Sequence, residues 1–294
     1  MPELPFYQID AFSDRPLAGN PCAVVLDADG LDADTMLAVA REMNLSETSF
    51  VRRSARADVG ARYFTPLGEI PMAGHPTVAT LFALVEAGRV ALTGALTRVT
   101  LELPAGVLPV ELEARDGRVT RITMSQRQPE FGEPLDPARV LPALGLAPDD
   151  ALPGLPVSVV STGTPQLLVG VRGLDAVRRA RPAPGVHVAL ARELGFFSSH
   201  VFALAGVAGG QTFARHFAPG EPGFEDPFTG SATGSMAALL FRHGRLGPRF
   251  VAEQGHWLGR PGRAEVEVVG RPDAIEAVRV GGGAATVLRG VLVI

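Results

Sequence analysis

What most constrains the fold of this chain is that it repeats itself at long range. Gly19-Asn20-Pro21-Cys22-Ala23-Val24-Val25 returns as Gly163-Thr164-Pro165-Gln166-Leu167-Leu168-Val169, an offset of 144 residues. Ala38-Val39-Ala40-Arg41-Glu42-Met43 returns as Ala189-Leu190-Ala191-Arg192-Glu193-Leu194 at 151, and Ala61-Arg62-Tyr63-Phe64-Thr65-Pro66 as Ala214-Arg215-His216-Phe217-Ala218-Pro219 at 153. Gly74 and Gly88 bracket a 13-residue apolar segment, and Gly230 and Gly244 bracket another at an offset of 156. Four anchors in one order, with offsets that only creep upward, predict two similar domains, because a duplicated fold keeps its element order while its loops drift in length. Each half reads as strand, helix, strand, strand, long helix, then a run of strands. The boundary is expected at the polar stretch 125–130, giving domains 1–124 and 125–294, with the terminal strand 290–294 a candidate to cross back to the first domain.

The two long helices lack a wide polar face. In residues 76–87, Val78, Leu81, Phe82 and Val85 hold helical spacing while Ala79, Ala83 and Leu84 fill most of the other side; residues 235–241 read the same way. A helix that is apolar nearly all round belongs inside a core. Around each lie segments with the pattern of half-buried strands, at 99–103, 107–112 and 119–124, then at 264–269, 277–280 and 285–288. An α+β fold follows, with a curved sheet wrapped around one buried helix in each domain.

Composition removes several functions. The 294 residues are 46% hydrophobic, with a net charge of −4 spread without long runs, which argues against a nucleic-acid footprint and against a polybasic membrane patch. The expected partner is a small molecule. The apolar stretch at 78–85 falls well short of the ~20 residues of a membrane span, and residues 1–6 lack a basic start and an apolar secretory core, so a cytoplasmic location is expected. Cys22 is the only cysteine, which excludes an intrachain disulfide, a thiolate zinc cage and any two-thiol mechanism within one chain. All 27 basic residues are arginine. Without lysine there is no Schiff-base amine, no P-loop lysine and no kinase lysine. No G-x-G-x-x-G opens a helix after a strand and no H-E-x-x-H occurs, while Gly281-Gly282-Gly283 lies between apolar runs as in a hairpin.

The starts of the two buried helices can do more than cap. Gly74-His75-Pro76-Thr77 puts proline in a first turn, and Gly230-Ser231-Ala232-Thr233 puts a serine at or next to an N-cap. If an approximate twofold relates the domains, the two starts face each other across a cleft and their unpaired N–H groups favour a carboxylate there, each end contributing roughly 0.3–2 kcal/mol. Four side chains stand out. Glu47 sits between a helix end and a strand in Asn44-Leu45-Ser46-Glu47-Thr48-Ser49-Phe50-Val51, and its counterpart at the 151 offset is Ser198, so the duplication is chemically asymmetric. Asp226 lies in Phe224-Glu225-Asp226-Pro227-Phe228-Thr229-Gly230-Ser231, just before the second long helix; His75 and Ser231 begin the two helices. Each has a plainer reading: a solvated carboxylate for Glu47, a cap for His75 and Ser231, an Asp-Pro turn for Asp226. Residues alone leave both open. His187, His200, His216, His243 and His256 show no metal-ligand spacing and read as structural or exposed, and Cys22, in an apolar strand, reads as a buried inert thiol.

The string Gly19-Asn20-Pro21, then Asn44-Leu45-Ser46-Glu47-Thr48-Ser49-Phe50-Val51, Phe64-Thr65-Pro66, Ala73-Gly74-His75-Pro76-Thr77, and Glu225-Asp226 followed by Thr229-Gly230-Ser231-Ala232 resembles the phenazine-biosynthesis PhzF-like family along essentially the whole chain. The resemblance implies the diaminopimelate-epimerase fold: two pseudo-symmetric domains, each a β-barrel around a central helix, with the active site between them. It also implies a homodimer and cofactor-free, metal-free isomerase chemistry in which a glutamate moves a proton between carbons of a small carboxylated substrate, a dihydro-hydroxyanthranilate in the phenazine enzymes. Carried over by motif, Glu47 is the acid/base, His75, Asp226 and Ser231 position substrate and assist proton movement, and Asn20, Gly74, Thr229 and Gly230 contact the substrate. Related thiol-dependent epimerases and racemases use two cysteines near these helix heads, which this chain lacks. Pro227-Phe228 departs from the pattern by placing a bulky aromatic near the expected substrate.

On this reading Glu47 removes a proton from an activated C–H and returns it at another carbon on the same face. A useful glutamate base needs partial desolvation to raise its pKa toward operating pH. Two rival classes remain from the residues: a small-acid binding or regulatory protein that keeps the cleft without turnover, and metal-assisted hydrolysis by His75 and Asp226, for which two candidate ligands do not define a site.

Overall fold

Two units make up the computed structural model, which describes residues 3–220 and 225–294. One unit is Met1–Ser125 together with Gly281–Ile294, and the other is Gln126–Val280. Phe224, in the loop motif before the second long helix, lies outside the described residues.

The first unit begins with β1 (Glu3–Ala11), antiparallel to β2 (Asn20–Val25). Helix α1 (Ala33–Met43) is capped by the Asp32 carboxylate, which accepts from the Thr35 N–H at 2.8 Å. It carries the chain to β3 (Glu47–Arg52), which is parallel to β2. Then β4 (Val59–Thr65) returns antiparallel to β3 and turns into the short β5 (Gly68–Ile70). The long helix α2 (Gly74–Glu86) follows. After it come β6 (Leu96–Leu103), parallel to β4, then β7 (Gly106–Arg115) and β8 (Arg118–Gln126) in an antiparallel meander.

The second unit repeats this plan after β9 (Glu130–Phe131) and the short α3 (Pro137–Val140). Strand β10 (Ser158–Ser161) is antiparallel to β11 (Pro165–Gly170); α4 (Leu174–Arg179) and α5 (Pro184–Leu194) lead to β12 (Ser198–Ala203), parallel to β11. Strand β13 (Thr212–Phe217) is antiparallel to β12 and to the two-residue β14 (Glu225–Asp226). The long helix α6 (Gly230–Arg242) precedes β15 (Arg249–Gln254), parallel to β13, then β16 (Gly262–Arg271) and β17 (Ala274–Gly282). Pairings correspond strand for strand: β2 with β3 as β11 with β12, β3 with β4 as β12 with β13, and β4 with β6 as β13 with β15. The duplication read from four short strings thus extends to ladder direction.

Both long helices have 13 residues, of which ten are buried in each. In the first unit α2 packs against β1, β2, β3 and the final strand β18 (Ala284–Val293); in the second α6 packs against β10, β11 and β16. Buried side chains such as Val78, Leu81, Met236 and Leu240 stabilise this arrangement by roughly 1.5–3 kcal/mol each. Gly281-Gly282-Gly283 marks where the chain passes from the second unit back to the first, and β18 then pairs antiparallel with β1 over its whole length, from Ala284 opposite Ala11 to Val293 opposite Glu3. The returning segment is therefore longer than the strand at 290–294 expected from sequence. Arg289 and Gly290 stay in the ladder, opposite Tyr7 and Phe6, and the guanidinium of Arg289 reaches Glu86 at 2.9 Å and lies over the Tyr7 ring.

Candidate active site

In the first unit a tight turn delivers Asn20. The Asp10 carboxylate, fully buried, accepts from the N–H groups of Leu17 at 2.7 Å and Ala18 at 3.3 Å. Gly19 has φ +58°, and a Cβ there would stand 2.2 Å from the Ala11 carbonyl oxygen, so only glycine lets the chain fold back into β2 at Asn20. Helix α1 ends on Asn44 in the left-handed region at φ 50°, and the short link after it starts β3 at Glu47, directly opposite Cys22. The third participant is His75, the second residue of α2.

These three side chains meet. His75 Nε2 lies 3.2 Å from Glu47 Oε2, a close contact outside hydrogen-bond alignment, and its Nδ1 lies 3.1 Å from Asn20 Nδ2. His75 is 5% exposed, and burial pushes its pKa down to about 3. The pair is thus a neutral imidazole beside a carboxylate rather than an ion pair, since desolvation disfavours the charged ring. Cys22 is fully buried; its thiol donates to the Ala23 carbonyl, and burial together with the Glu47 charge raises its pKa. Below the histidine, the Thr77 hydroxyl donates to the Ala73 carbonyl at 2.8 Å and sits 3.0 Å from the Tyr63 hydroxyl, while Ser49 and Thr80 bond at 2.6 Å. This row of buried hydroxyls ties β3, β4 and the head of α2 together.

In the second unit Asp226 faces the same kind of helix start. It is 8% exposed, its carboxylate accepts from the Thr229 hydroxyl, and its backbone carbonyl accepts from Gln254 Nε2 at 2.7 Å. Gln254 Oε1 in turn accepts from the Thr229 N–H at 3.2 Å. The N-cap of α6 is Thr229, followed by Gly230 and then Ser231, so Ser231 is the second helical residue. Just as Thr77 bonds back to Ala73, the Thr233 hydroxyl donates to Thr229 at 2.9 Å. Neither α2 nor α6 has a side-chain cap bond or an acidic residue in its first turn. Their first N–H groups and positive dipole ends are suited to an anion. Glu225, the neighbour of Asp226, pairs with Arg215 through two bonds of 2.8 and 2.6 Å. Arg215 also donates to the carbonyls of Val177, Arg178 and Ala180, anchoring the short strand that carries Asp226.

Each expected residue now has a place. Glu47, His75 and Asn20 are brought together, with Gly74 beside them as the first residue of α2; Asp226, Thr229, Gly230 and Ser231 are consecutive features of the β14-to-α6 connection. Phe228 is fully buried, its ring so close to Gly262 that a Cβ there would stand 2.5 Å away, so it fills the core of its unit instead of facing substrate. Sequence reasoning missed a polar row beneath Asp226. His200 and His216 are opposite each other in β12 and β13, with Nδ1 atoms 3.2 Å apart, and His216 is in turn opposite Asp226. Burial pushes the pKa of His200 down to about 3, and burial with the neighbouring histidines pushes that of His216 well below its ordinary value. The available signal was one histidine in each of two successive short strands, Ser198–Ala203 and Thr212–Phe217. A cavity of about 550 Å³ in the second unit, lined by Arg178, Arg181, Trp257 and others, includes none of the expected site residues. Among the described residues, no helix is long and apolar enough to cross a membrane.

The model of the family described as phenazine biosynthesis-like protein matches residues 9–290. This chain belongs to that family. It is 37% identical to trans-2,3-dihydro-3-hydroxyanthranilate isomerase of Pseudomonas aeruginosa over 96% of each chain. An uncharacterized isomerase of Bacillus subtilis, YfhB, is 36% identical over 91% of this chain and 92% of its own. Among solved structures, the Bacillus anthracis phenazine biosynthesis protein of the PhzF family superposes with a TM-score of 0.88 at 31% identity, covering 100% of both chains. The protein is accordingly a PhzF-family isomerase with an α+β fold, which sets aside the reading as a binding protein without turnover.

Proposed function

We propose that this PhzF-family isomerase moves a proton between carbons of a small carboxylate-bearing substrate, with Glu47 as the acid/base and without a cofactor. The observation that carries the reading is the Glu47 carboxylate at the head of β3, 3.2 Å from a buried neutral imidazole at the start of α2. Glu47 accepts the proton from an activated C–H and delivers it to another carbon on the same face. His75, Asp226 and Ser231 position the substrate and assist the proton, and Asn20, Gly74, Thr229 and Gly230 complete the contacts. Both helix starts, free of acidic side chains in their first turns, favour the substrate carboxylate and the negative charge that develops when the C–H bond breaks. Homodimerisation belongs to the same reading and rests on the family likeness; the cytoplasmic location proposed with it rests on the sequence pattern.

The name of the Pseudomonas relative supplies the first probe, trans-2,3-dihydro-3-hydroxyanthranilate. In heavy water the wild type should wash deuterium into this compound, or into one of a panel of cyclic and acyclic unsaturated acids. Glu47→Gln, close in shape but unable to take up a proton, should keep fold and binding while exchange falls by about 10²–10⁴-fold, the usual worth of a positioned acid/base. Exchange at the wild-type rate in that variant removes Glu47 from the mechanism.

A further inference from the structure

Asn20 is fully buried and its amide nitrogen stands 3.1 Å from His75 Nδ1. An amide nitrogen only donates, so Nδ1 must offer a lone pair. His75 is neutral, held so by burial, and a neutral imidazole carries a single N–H. That hydrogen is therefore on Nε2, the atom 3.2 Å from Glu47 Oε2. The opposite amide orientation would demand N–H at Nδ1 and leave a bare Nε2 lone pair against a carboxylate oxygen. In a site screened from water, two lone pairs at that distance repel, even without a linear bond to align them. Both ends of the ring thus favour the same tautomer, the Asn20 donor by a hydrogen bond and the Glu47 carboxylate by an unaligned contact.

We propose that Asn20 is a positioning residue that locks His75 in the Nε2–H form and so presents Glu47 with a fixed donor edge. This rests on the reading of Glu47 as the acid/base. A donor edge favours the ionised carboxylate, the form able to accept a proton from substrate, and a lone-pair edge favours the protonated one. The turn closed by Asp10 and Gly19 fixes where the amide stands, so the tautomer is set by backbone geometry remote from the reacting atoms. In the second unit the equivalent positions, by the offsets of the repeat, are Thr164 for Asn20 and Ser231 for His75, which hold no imidazole to orient.

Nitrogen-15 correlation spectra of the histidine-labelled, ligand-free protein read the tautomer directly, with His75→Gln assigning the resonance among six histidines. Wild-type His75 should show a bare Nδ1 and a protonated Nε2 from about pH 5 to pH 8, outside the range in which a deeply buried ring charges. Protonated Nδ1, or a charged ring at neutral pH, overturns the proposal from the wild type alone. Asn20→Leu, of similar shape but without a donor, should give a mixture of the two tautomers and raise the midpoint of the Glu47 carboxyl titration, followed by carbon-13. A pure Nε2–H form with an unmoved Glu47 midpoint in that variant assigns the tautomer to Glu47 alone and equally overturns it. Failure of the acid/base reading shows separately: Glu47→Gln that still exchanges deuterium leaves the tautomer result untouched.

Discussion

Three deeply buried histidines make the stability of this protein steeply dependent on acid. His75, His200 and His216 are 5%, 0% and 4% exposed, and each is held neutral with its pKa depressed from the ordinary 6.5. For His75 and His200 burial brings it down to about 3. Between these values the unfolded chain binds protons that the folded chain refuses, so stability rises with pH across that window and is lost as pH falls through it. Each histidine is worth about 1.4 kcal/mol per pH unit below 6.5, or roughly 2 kcal/mol at pH 5. For three the loss is about 6 kcal/mol against a total of ~5–15 for a typical domain. His187, also buried and bonded to Ser199 at 2.6 Å, has its pKa lowered by burial and adds in the same direction. Urea unfolding followed by the fluorescence of Trp257, at several values from about pH 7.5 to pH 5, should give a free energy falling toward ~4 kcal/mol per unit at the acid end, which corresponds to three protons. His200→Phe should take about one proton out of that slope while also lowering stability at neutral pH, because His216 loses its partner. A wild-type slope corresponding to one proton or fewer between about pH 6 and pH 5 refutes the reasoning, since it would mean that these rings charge inside the fold.

Two further perturbations test how the second unit supports Asp226. Arg215→Ala leaves Glu225 buried without its cation and frees three carbonyls at the end of α4, so it should cost about 3–5 kcal/mol; Arg215→Lys, which lacks the fork needed for both oxygens, should recover only part, as read by urea midpoints, and full recovery by lysine would contradict the role given to the fork. Gly234→Ala should destabilise although alanine is the better helix former by ~1 kcal/mol, because its Cβ would stand 2.0 Å from Gln126 Oε1, held in place by Thr162 and Gly230; a thermal midpoint above wild type would show that Gln126 swings away freely.

The duplication and the two buried helices were legible because each leaves a local trace, a repeated string or an apolar period; His75 and Ser231 flank glycines at the helix starts, while Glu47 and Asp226 stood out by their places beside predicted helices and by the family motifs. What was illegible depends on register. Histidines 16 residues apart in sequence bond only because β12 and β13 pair with His200 opposite His216. Phe228 sits between two site residues in sequence, yet the bend from β14 into α6 sends its ring into the core against Gly262. Thr229 and not Ser231 caps α6, a shift of two residues that decides which side chain bonds the Asp226 carboxylate. The Asn20–His75 contact spans 55 residues and arises from a turn whose shape is written in a glycine and an aspartate far from the histidine in sequence.

Register also shows how one architecture came to carry different side chains at matching rungs of its two halves. In the first unit Cys22 is opposite Glu47; at the corresponding rungs of the second, Gln166 is opposite Ser198 and the two are joined by a bond of 2.6 Å. The strand pairing is the same at both places, so the difference lies in the side chains. A carboxylate at the first position has a buried imidazole as neighbour, whereas the serine at the second donates its hydroxyl to glutamine. Had both halves kept an acid there, proton removal and return could be divided between two bases, one for each face of the substrate carbon. With a single acid at that rung, the proposed function has Glu47 both take the proton and give it back, a same-face transfer in keeping with the asymmetry of the duplication.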